Sequence, residues 1–292
     1  MMQIIHGIRE LRGILQSARA QGQEIAFVPT MGNLHPGHIA LVTQARQLAP
    51  FTVVSIFVNP FQFGAGEDFQ TYPRTLEDDI AKLQAVGADL LFLPDASDLY
   101  PNGLDAITRI QVPDIDQILC GQSRPTFFRG VTTVVGMLFN LVWPDYAVFG
   151  EKDYQQLVII RRMVSDLKMP IRIIPGPTVR ETDGLAMSSR NGYLDPAERE
   201  IAPILYRTLS EAGDSLAAGE PVHTIRQQRI QTLTAAGFRP DYFEIRRAAD
   251  LSLVDEASSD SPQHHDQDLR ILVAAWLGKT RLIDNIGVRG PA

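Results

Sequence analysis

A single cysteine, Cys120, stands among 292 residues, so no disulfide can form within the chain. No Cys/His cluster offers zinc a ligand set either. The thiol itself is expected to be buried or half-buried rather than a nucleophile. Long apolar runs are also missing, so no segment is expected to cross a bilayer. Met1 to His6 lacks the basic and extended apolar regions of a signal peptide. Positive charge is scarce: 27 Lys and Arg against 34 Asp and Glu leave a net −7, which argues against a broad nucleic-acid surface. An anionic ligand is still allowed, because a few cations and a row of backbone amides can hold phosphate on an acidic protein. These absences point to a cytoplasmic protein working on small molecules, with neither nucleic acid nor membrane as partner.

Hydrophobic residues make up 45% and charged residues 21%, so a core can be buried without disulfides or a structural metal. Short apolar runs at Glu24–Thr30, Thr52–Val58, Leu90–Leu93, Tyr146–Gly150 and Ile171–Pro175 alternate with helical patterns. Those patterns lie at about Gly37–Leu48, Leu76–Val86, Val131–Leu141 and Tyr154–Leu167. Runs of four to seven apolar residues between helices predict parallel strands buried on both faces. The expected fold class is α/β, a doubly wound parallel-sheet (Rossmann-like) nucleotide-binding domain with a ligand crevice at the strands' carboxyl ends. After about Ser189 the pattern changes. Asp195 and Pro196 open a helix expected to reach Ala218, and Pro221 opens another to about Ala236. Strands are expected at Tyr242–Arg246, Arg270–Ala275 and near Arg281–Ile286, with a polar loop at Asp255–Asp268 that holds a solvated His264–His265 pair. The expected domains are 1–185 and a smaller α+β lid domain, 186–292.

Five segments carry chemistry. In Pro29-Thr30-Met31-Gly32-Asn33-Leu34-His35-Pro36-Gly37-His38 a strand ends, a glycine allows a tight turn and a helix begins. Spacing of three puts His35 and His38 on one side of the first turn, beside helix N–H groups suited to an anion. Gly37 leaves room for a base or ribose against the backbone. In Val58-Asn59-Pro60-Phe61-Gln62-Phe63-Gly64, Pro60 stops the strand between two amides, Asn59 and Gln62, each able to donate and accept. In Gly150-Glu151-Lys152-Asp153-Tyr154-Gln155-Gln156, a strand meets a helix with Asp153 as a candidate N-cap and Lys152 as a point charge for phosphate. Val179 with Met187-Ser188-Ser189-Arg190-Asn191 supplies hydroxyls and a guanidinium, and Gly184 suits a hinge near Thr182–Gly184. Finally, Tyr72-Pro73-Arg74-Thr75 leads into a helix with Glu77, Asp78 and Asp79. Asp78 is read as a Mg²⁺ contact, with a first turn that merely suits the helix dipole as the alternative.

The first segment resembles the H-x-G-H signature of adenylyl-transferring α/β enzymes, among them class I aminoacyl-tRNA synthetases and cytidylyltransferases. Together with Val-Asn-Pro-x-Gln-Phe-Gly it resembles the pantothenate synthetase (pantoate–β-alanine ligase) family, from Pro29 to Thr280-Arg281-Leu282-Ile283-Asp284-Asn285. That resemblance implies ATP contacts at Met31, Gly32, Asn33, Leu34, His35, Pro36, Gly37, His38, Gly150, Glu151, Lys152, Asp153, Val179, Met187, Ser188, Ser189 and Arg190. It implies pantoate contacts at Gln62 and Gln156, with Gln62 also touching β-alanine and Asn59 lining the pocket. Catalytic roles fall to His38, His35, Lys152 and Arg190, with His38 in the proton donor's position; its protonation state stays open, and either form can donate a hydrogen bond. The expected reaction joins pantoate to β-alanine through pantoyl adenylate, using ATP and Mg²⁺, in a homodimer. Arg124-Pro125-Thr126-Phe127-Phe128 departs from the family's Arg-Pro-Gly-His-Phe, which removes any role for that Gly-His pair. Two other readings remain: another nucleotidyltransferase of the H-x-G-H group, such as a cytidylyltransferase, and a non-catalytic ATP sensor.

Overall fold

The computed structural model describes residues 2–64, 66–254 and 268–289. The expected polar loop, apart from Asp268, and its His264–His265 pair lie outside the described residues. Chain order is β1 (Gln3–Ile5), α1 (Ile8–Ala20), β2 (Ile25–Thr30), α2 (Pro36–Leu48), β3 (Phe51–Ile56), α3 (Leu76–Val86) and β4 (Leu90–Phe92). Next come α4 (Ala96–Leu99), α5 (Cys120–Ser123), α6 (Phe127–Val142), β5 (Tyr146–Gly150), α7 (Tyr154–Asp166) and β6 (Arg172–Gly176). The last elements are α8 (Pro196–Ile201), α9 (Ile204–Ala217), α10 (Val222–Ala235), β7 (Arg239–Arg247), β8 (Asp268–Leu277) and β9 (Thr280–Arg289). Two compact units result: one runs to Glu151 and includes Ile159–Pro177, and the other holds Lys152–Val158 and the chain from Thr178 on.

In the first unit six parallel strands form one sheet, in the order β1-β4-β3-β2-β5-β6. Successive residues of a strand point to opposite faces. Ala26, Val28, Val54, Leu91 and Val148 therefore share one cluster with Val42 and Ala45 of α2 and Leu83 of α3. Phe27 points the other way and meets Phe139 of α6 edge-on at 6.4 Å, and Phe139 meets Phe149 at 6.2 Å. Helices cover both faces, which is why the strands read as unbroken apolar runs. From β2 the chain proceeds outward to β3 and β4, then returns to β5 and β6 on the other side. The strand order thus reverses between β2 and β5, and in such sheets the crevice beyond the carboxyl ends at that point receives the ligand.

Two elements, β1 and α1, precede the first expected strand. Leu11, Leu15 and Ala18 of α1 are buried at helical spacing. β3 stops at Ile56 rather than Val58, since Phe57 N–H makes the last bond, 3.0 Å to Thr30 O, before the Asn59-Pro60 turn. Asp195 caps α8 as expected, its carboxylate accepting from Glu198 N–H at 2.8 Å. The single helix expected from there to Ala218 is instead two, α8 and α9. Pro203 has no N–H to donate and its ring crowds the preceding turn, so the helix breaks there.

In the second unit β7, β8 and β9 form an antiparallel sheet in that order. Gly278, at φ 54°, and Lys279 make the tight two-residue turn between β8 and β9. Leu205, Leu209 and Ala212 of α9 and Ile225 and Leu233 of α10 pack with Phe243, Ile271, Val273 and Leu282 of the sheet. Those strands alternate inward apolar and outward polar residues only in part. β8, the central strand, is buried almost throughout.

Candidate active site

After β2 the chain turns at Gly32, whose φ of 82° no β-carbon would accept comfortably, and a β-carbon there would also lie 3.0 Å from Ile56 Cγ2. Asn33 follows in the same left-handed region, at φ 49°. Buried Asp79 of α3 holds this turn by accepting from Asn33 N–H at 2.8 Å and Leu34 N–H at 2.7 Å. Lys82, one turn further along α3, donates to Leu34 O at 2.7 Å. Neither clamp was expected. Asp78, the expected metal contact, stands exposed beside Asp79. Among the described residues no group of three or more His, Cys, Asp or Glu could cage a metal ion.

His35 is the N-cap of α2, and the helix begins at Pro36, one residue before its expected start. Its Nδ1 accepts from Gly37 N–H at 3.2 Å, and His38 Nδ1 accepts from His35 N–H at 3.3 Å. Two histidines thus build the reciprocal cap usually made by a hydroxyl and a carboxylate. The ring centroids are 4.0 Å apart. An Nδ1 that accepts carries no proton, so each ring in this arrangement is the neutral tautomer with its proton on Nε2. Sequence spacing anticipated the shared side of the helix, but the Gly37 and His35 amides are used by the rings themselves.

At the end of β3, Asn59 opens a short 3-10 turn, Pro60–Gln62. Its Oδ1 accepts from Tyr100 O–H at 2.6 Å and Phe61 N–H at 3.1 Å. Its Nδ2 donates to Gln62 Oε1 at 3.1 Å and Gly130 O at 3.2 Å. All four bonds of that amide are therefore used within the protein. Asn59, 1% exposed, holds Gln62 with its own amide. Gln62 Nε2 donates to Met31 Sδ at 2.9 Å, leaving a second N–H and an oxygen lone pair for a ligand. Phe61 N–H, which can only donate, and Gly130 O, which can only accept, fix which end of Asn59 is oxygen; Tyr100 adds a second donor to that oxygen, and Asn59 then holds Gln62. Burial pushes the Tyr100 phenol above its ordinary range, so it stays a donor.

A profile of the pantoate–β-alanine ligase family matches residues 3–287. The chain belongs to that family. It is 54% identical to the pantothenate synthetase of Pseudomonas fluorescens Pf0-1 over 286 residues, 98% of this chain and 97% of that protein. The solved pantothenate synthetase of Thermus thermophilus is 45% identical, with a TM-score of 0.88 over 98% of this chain and 99% of that one. A pantoate–β-alanine ligase of Francisella tularensis, solved with β-γ ATP and β-alanine, is 36% identical over 98% and 97%, with a TM-score of 0.80.

As a pantoate–β-alanine ligase, the chain carries its remaining motif residues on segments of contrasting build. Gly150 ends β5, and Glu151–Asp153 form a 3-10 turn that runs directly into α7. Asp153 lies inside that turn instead of capping the helix, and its carboxylate is 3.8 Å from Lys152 Nζ. Gln156 of α7 is half-buried, while its neighbour Gln155 is buried. Residues 179–187 fold into a tight hairpin: Met187 N–H donates to Val179 O at 3.0 Å and Glu181 N–H to Leu185 O at 2.8 Å. The hairpin brings Val179 and Met187 side by side despite their separation in sequence. Beyond it Ser188 Oγ accepts from Arg190 N–H at 3.2 Å, and Ser188, Ser189 and Arg190 are half-buried. Arg124 stacks 3.7 Å over the Phe127 ring while pairing with Glu67 at 2.5 Å. Cys120 is buried, as expected of a structural thiol.

Proposed function

We propose that this ligase activates pantoate with ATP and then transfers the pantoyl group to β-alanine, giving pantothenate, AMP and diphosphate. A carboxylate oxide is a poor leaving group. Attack of the pantoate carboxylate on the α-phosphorus forms pantoyl adenylate and releases pyrophosphate, and the β-alanine amine then displaces AMP. The observation that carries this reading is the double-histidine cap at the N-terminus of α2, at the point where the strand order reverses. It fixes two imidazoles in place where phosphate charge develops.

In this reading Met31–His38, Gly150–Asp153, Val179 and Met187–Arg190 surround ATP. His35, His38, Lys152 and Arg190 attend the departing pyrophosphate. Gln62, with its spare donor and acceptor, and Gln156 hold pantoate. Magnesium would offset the phosphate charge as the nucleotide's counter-ion, with Asp78 read as its protein contact. The assembly is read as a homodimer on the strength of the family resemblance, and the compartment as cytoplasm on that of the lone cysteine and the lack of long apolar runs. A buried amide set at Asn59 and Gln62, where a phosphate acceptor would call for cations, favours pantoate over the acceptors of a cytidylyltransferase.

The test is pyrophosphate release from MgATP, first with pantoate alone and then with β-alanine added. Release of about one equivalent per site with pantoate, becoming continuous with β-alanine, is expected for a two-step reaction. Release that needs no pantoate, or none with both substrates present, sinks the proposal.

A further inference from the structure

None of the residues in the β9 stretch Thr280–Asn285 has a place in the reaction just described. Its last two residues, Asp284 and Asn285 on β9, are both buried polar groups in a strand whose neighbours pack the second unit's core. Each is bonded to one of the two segments of that unit that carry expected phosphate contacts. Asp284 takes a two-pronged pair from Arg180 in the 179–187 hairpin, at 2.6 and 3.0 Å. Arg180 also donates to Gly184 O at 3.1 Å, across the hairpin's turn, and its guanidinium stacks 3.7 Å over Tyr206 of α9. Asn285 Nδ2 donates to Lys152 O at 2.9 Å. Its Oδ1 accepts from Arg270 Nε at 2.7 Å, and Arg270 stacks 3.8 Å over Tyr154, two residues beyond Lys152. Asn285 N–H closes the set by donating to Asp284 Oδ1 at 2.7 Å.

We infer that Asp284 and Asn285 form a positioning pair that sets the Lys152 main chain and the 179–187 hairpin in one register, so that Lys152 and Ser188–Arg190 meet the same leaving pyrophosphate. Asn285 acts through Lys152 and Asp284 through Arg180; neither touches substrate. A buried amide with a fixed donor and acceptor can hold only one orientation, because Arg270 can only donate to it. The Asn285 amide is therefore locked with its nitrogen toward the Lys152 carbonyl. Displacement of a positioning contact by a fraction of an ångström is costly to a step that depends on alignment. Burial pushes the Asp284 carboxyl up from its usual range, and Arg180, Asn285 N–H and the Lys152 charge oppose that push. The carboxylate is thus poised among the groups it aligns.

The inference rests on the reading that Lys152 serves pyrophosphate departure, and the experiment separates the two. Single-turnover pyrophosphate release with MgATP and pantoate would be compared with amide formation from preformed pantoyl adenylate and β-alanine. The proteins are wild type, Asn285→Ala, Lys152→Ala and the double variant, with thermal melts alongside. Asn285→Ala is expected to slow pyrophosphate release by about tenfold or more, while the amide step stays within about twofold. On the Lys152→Ala background the same change should add less than about twofold, since both act through one contact. Asn285→Asp keeps the shape and the acceptor for Arg270 but loses the donor to Lys152, and it should reproduce the selective loss if Asn285→Ala folds poorly. Equal slowing of both steps, or effects that multiply in the double variant, would overturn the positioning role. If Lys152→Ala alone leaves pyrophosphate release unchanged, the reading of Lys152 fails first and takes this inference with it. If Lys152→Ala is slow but both Asn285 variants are normal, the positioning role alone is refuted.

Discussion

At the scale of single residues, the site depends on groups whose importance lies in what they orient. Tyr100 is 41 residues from Asn59, yet its hydroxyl adds a buried bond to the amide that holds Gln62 in place. Tyr100→Phe removes one buried hydrogen bond and leaves Asn59 Oδ1 with Phe61 N–H alone. A hydrogen bond of this kind contributes about 1 kcal/mol, so the KM for pantoate is expected to rise roughly fivefold with kcat changed much less. Initial-rate kinetics with pantoate varied would check this; an unchanged pantoate KM would show that Gln62 keeps its orientation without the phenol. His35, His38, Gln62 and Lys152 were legible in sequence because short strings around strand ends state their residue types and spacing. Asp79 and Tyr100 were not. Asp79 sits among three consecutive acidic residues, and only helix rotation decides which of them faces the turn at Gly32. Asp78, one position along, faces away.

At the scale of elements, the 3-10 turn bearing Gln62 is set by how closely α6 approaches it. A β-carbon on Gly130 would lie 2.5 Å from Phe61 O and 2.6 Å from Gln62 Cα, and both are backbone atoms that cannot rotate aside. Two effects compete in Gly130→Ala. Alanine gains up to about 1 kcal/mol of helix propensity. Overpacking against backbone costs about 1–3 kcal/mol, so the net outcome is a loss of stability. A lower urea midpoint together with weaker pantoate binding is the expected result. A variant more stable than wild type, with pantoate affinity intact, would mean that the turn yields without moving Gln62. The same scale accounts for the helix expected to run unbroken from Asp195 to Ala218. Its apolar pattern continues through Pro203, but that residue has no N–H to donate, and α9 begins at Ile204 with its buried face packed on the sheet.

At the scale of the whole molecule, stability against pH tests the buried network as a unit. Burial holds the Tyr100 proton more tightly in the folded state than in the unfolded chain. The folded state then binds more protons above the ordinary phenol value of about 10, so stability is fully present below that value and declines as pH rises through it. Wild type is expected to lose stability above about pH 10 more steeply than Tyr100→Phe, which has no phenol to titrate. Urea titrations of both proteins at several alkaline pH values would reveal the narrowing gap; parallel curves would show that the phenol is not held by burial.

The amino-acid sequence by itself determined the class of the sheet, the order of most elements, the helix start at His35-Pro36-Gly37-His38 and the family. Each of these rests on local physics: apolar periodicity, turn chemistry and residue types within a few positions of one another. Tertiary structure decided that two histidines cap α2 through their own rings, that Asp79 rather than Asp78 grips the turn, and that the Asn59 amide is engaged with Gln62, Gly130, Phe61 and Tyr100. It also decided that Asn285, 133 residues away, holds the Lys152 carbonyl. A hydrogen bond between distant residues has no periodicity to announce it, because chain topology alone brings its donor to its acceptor.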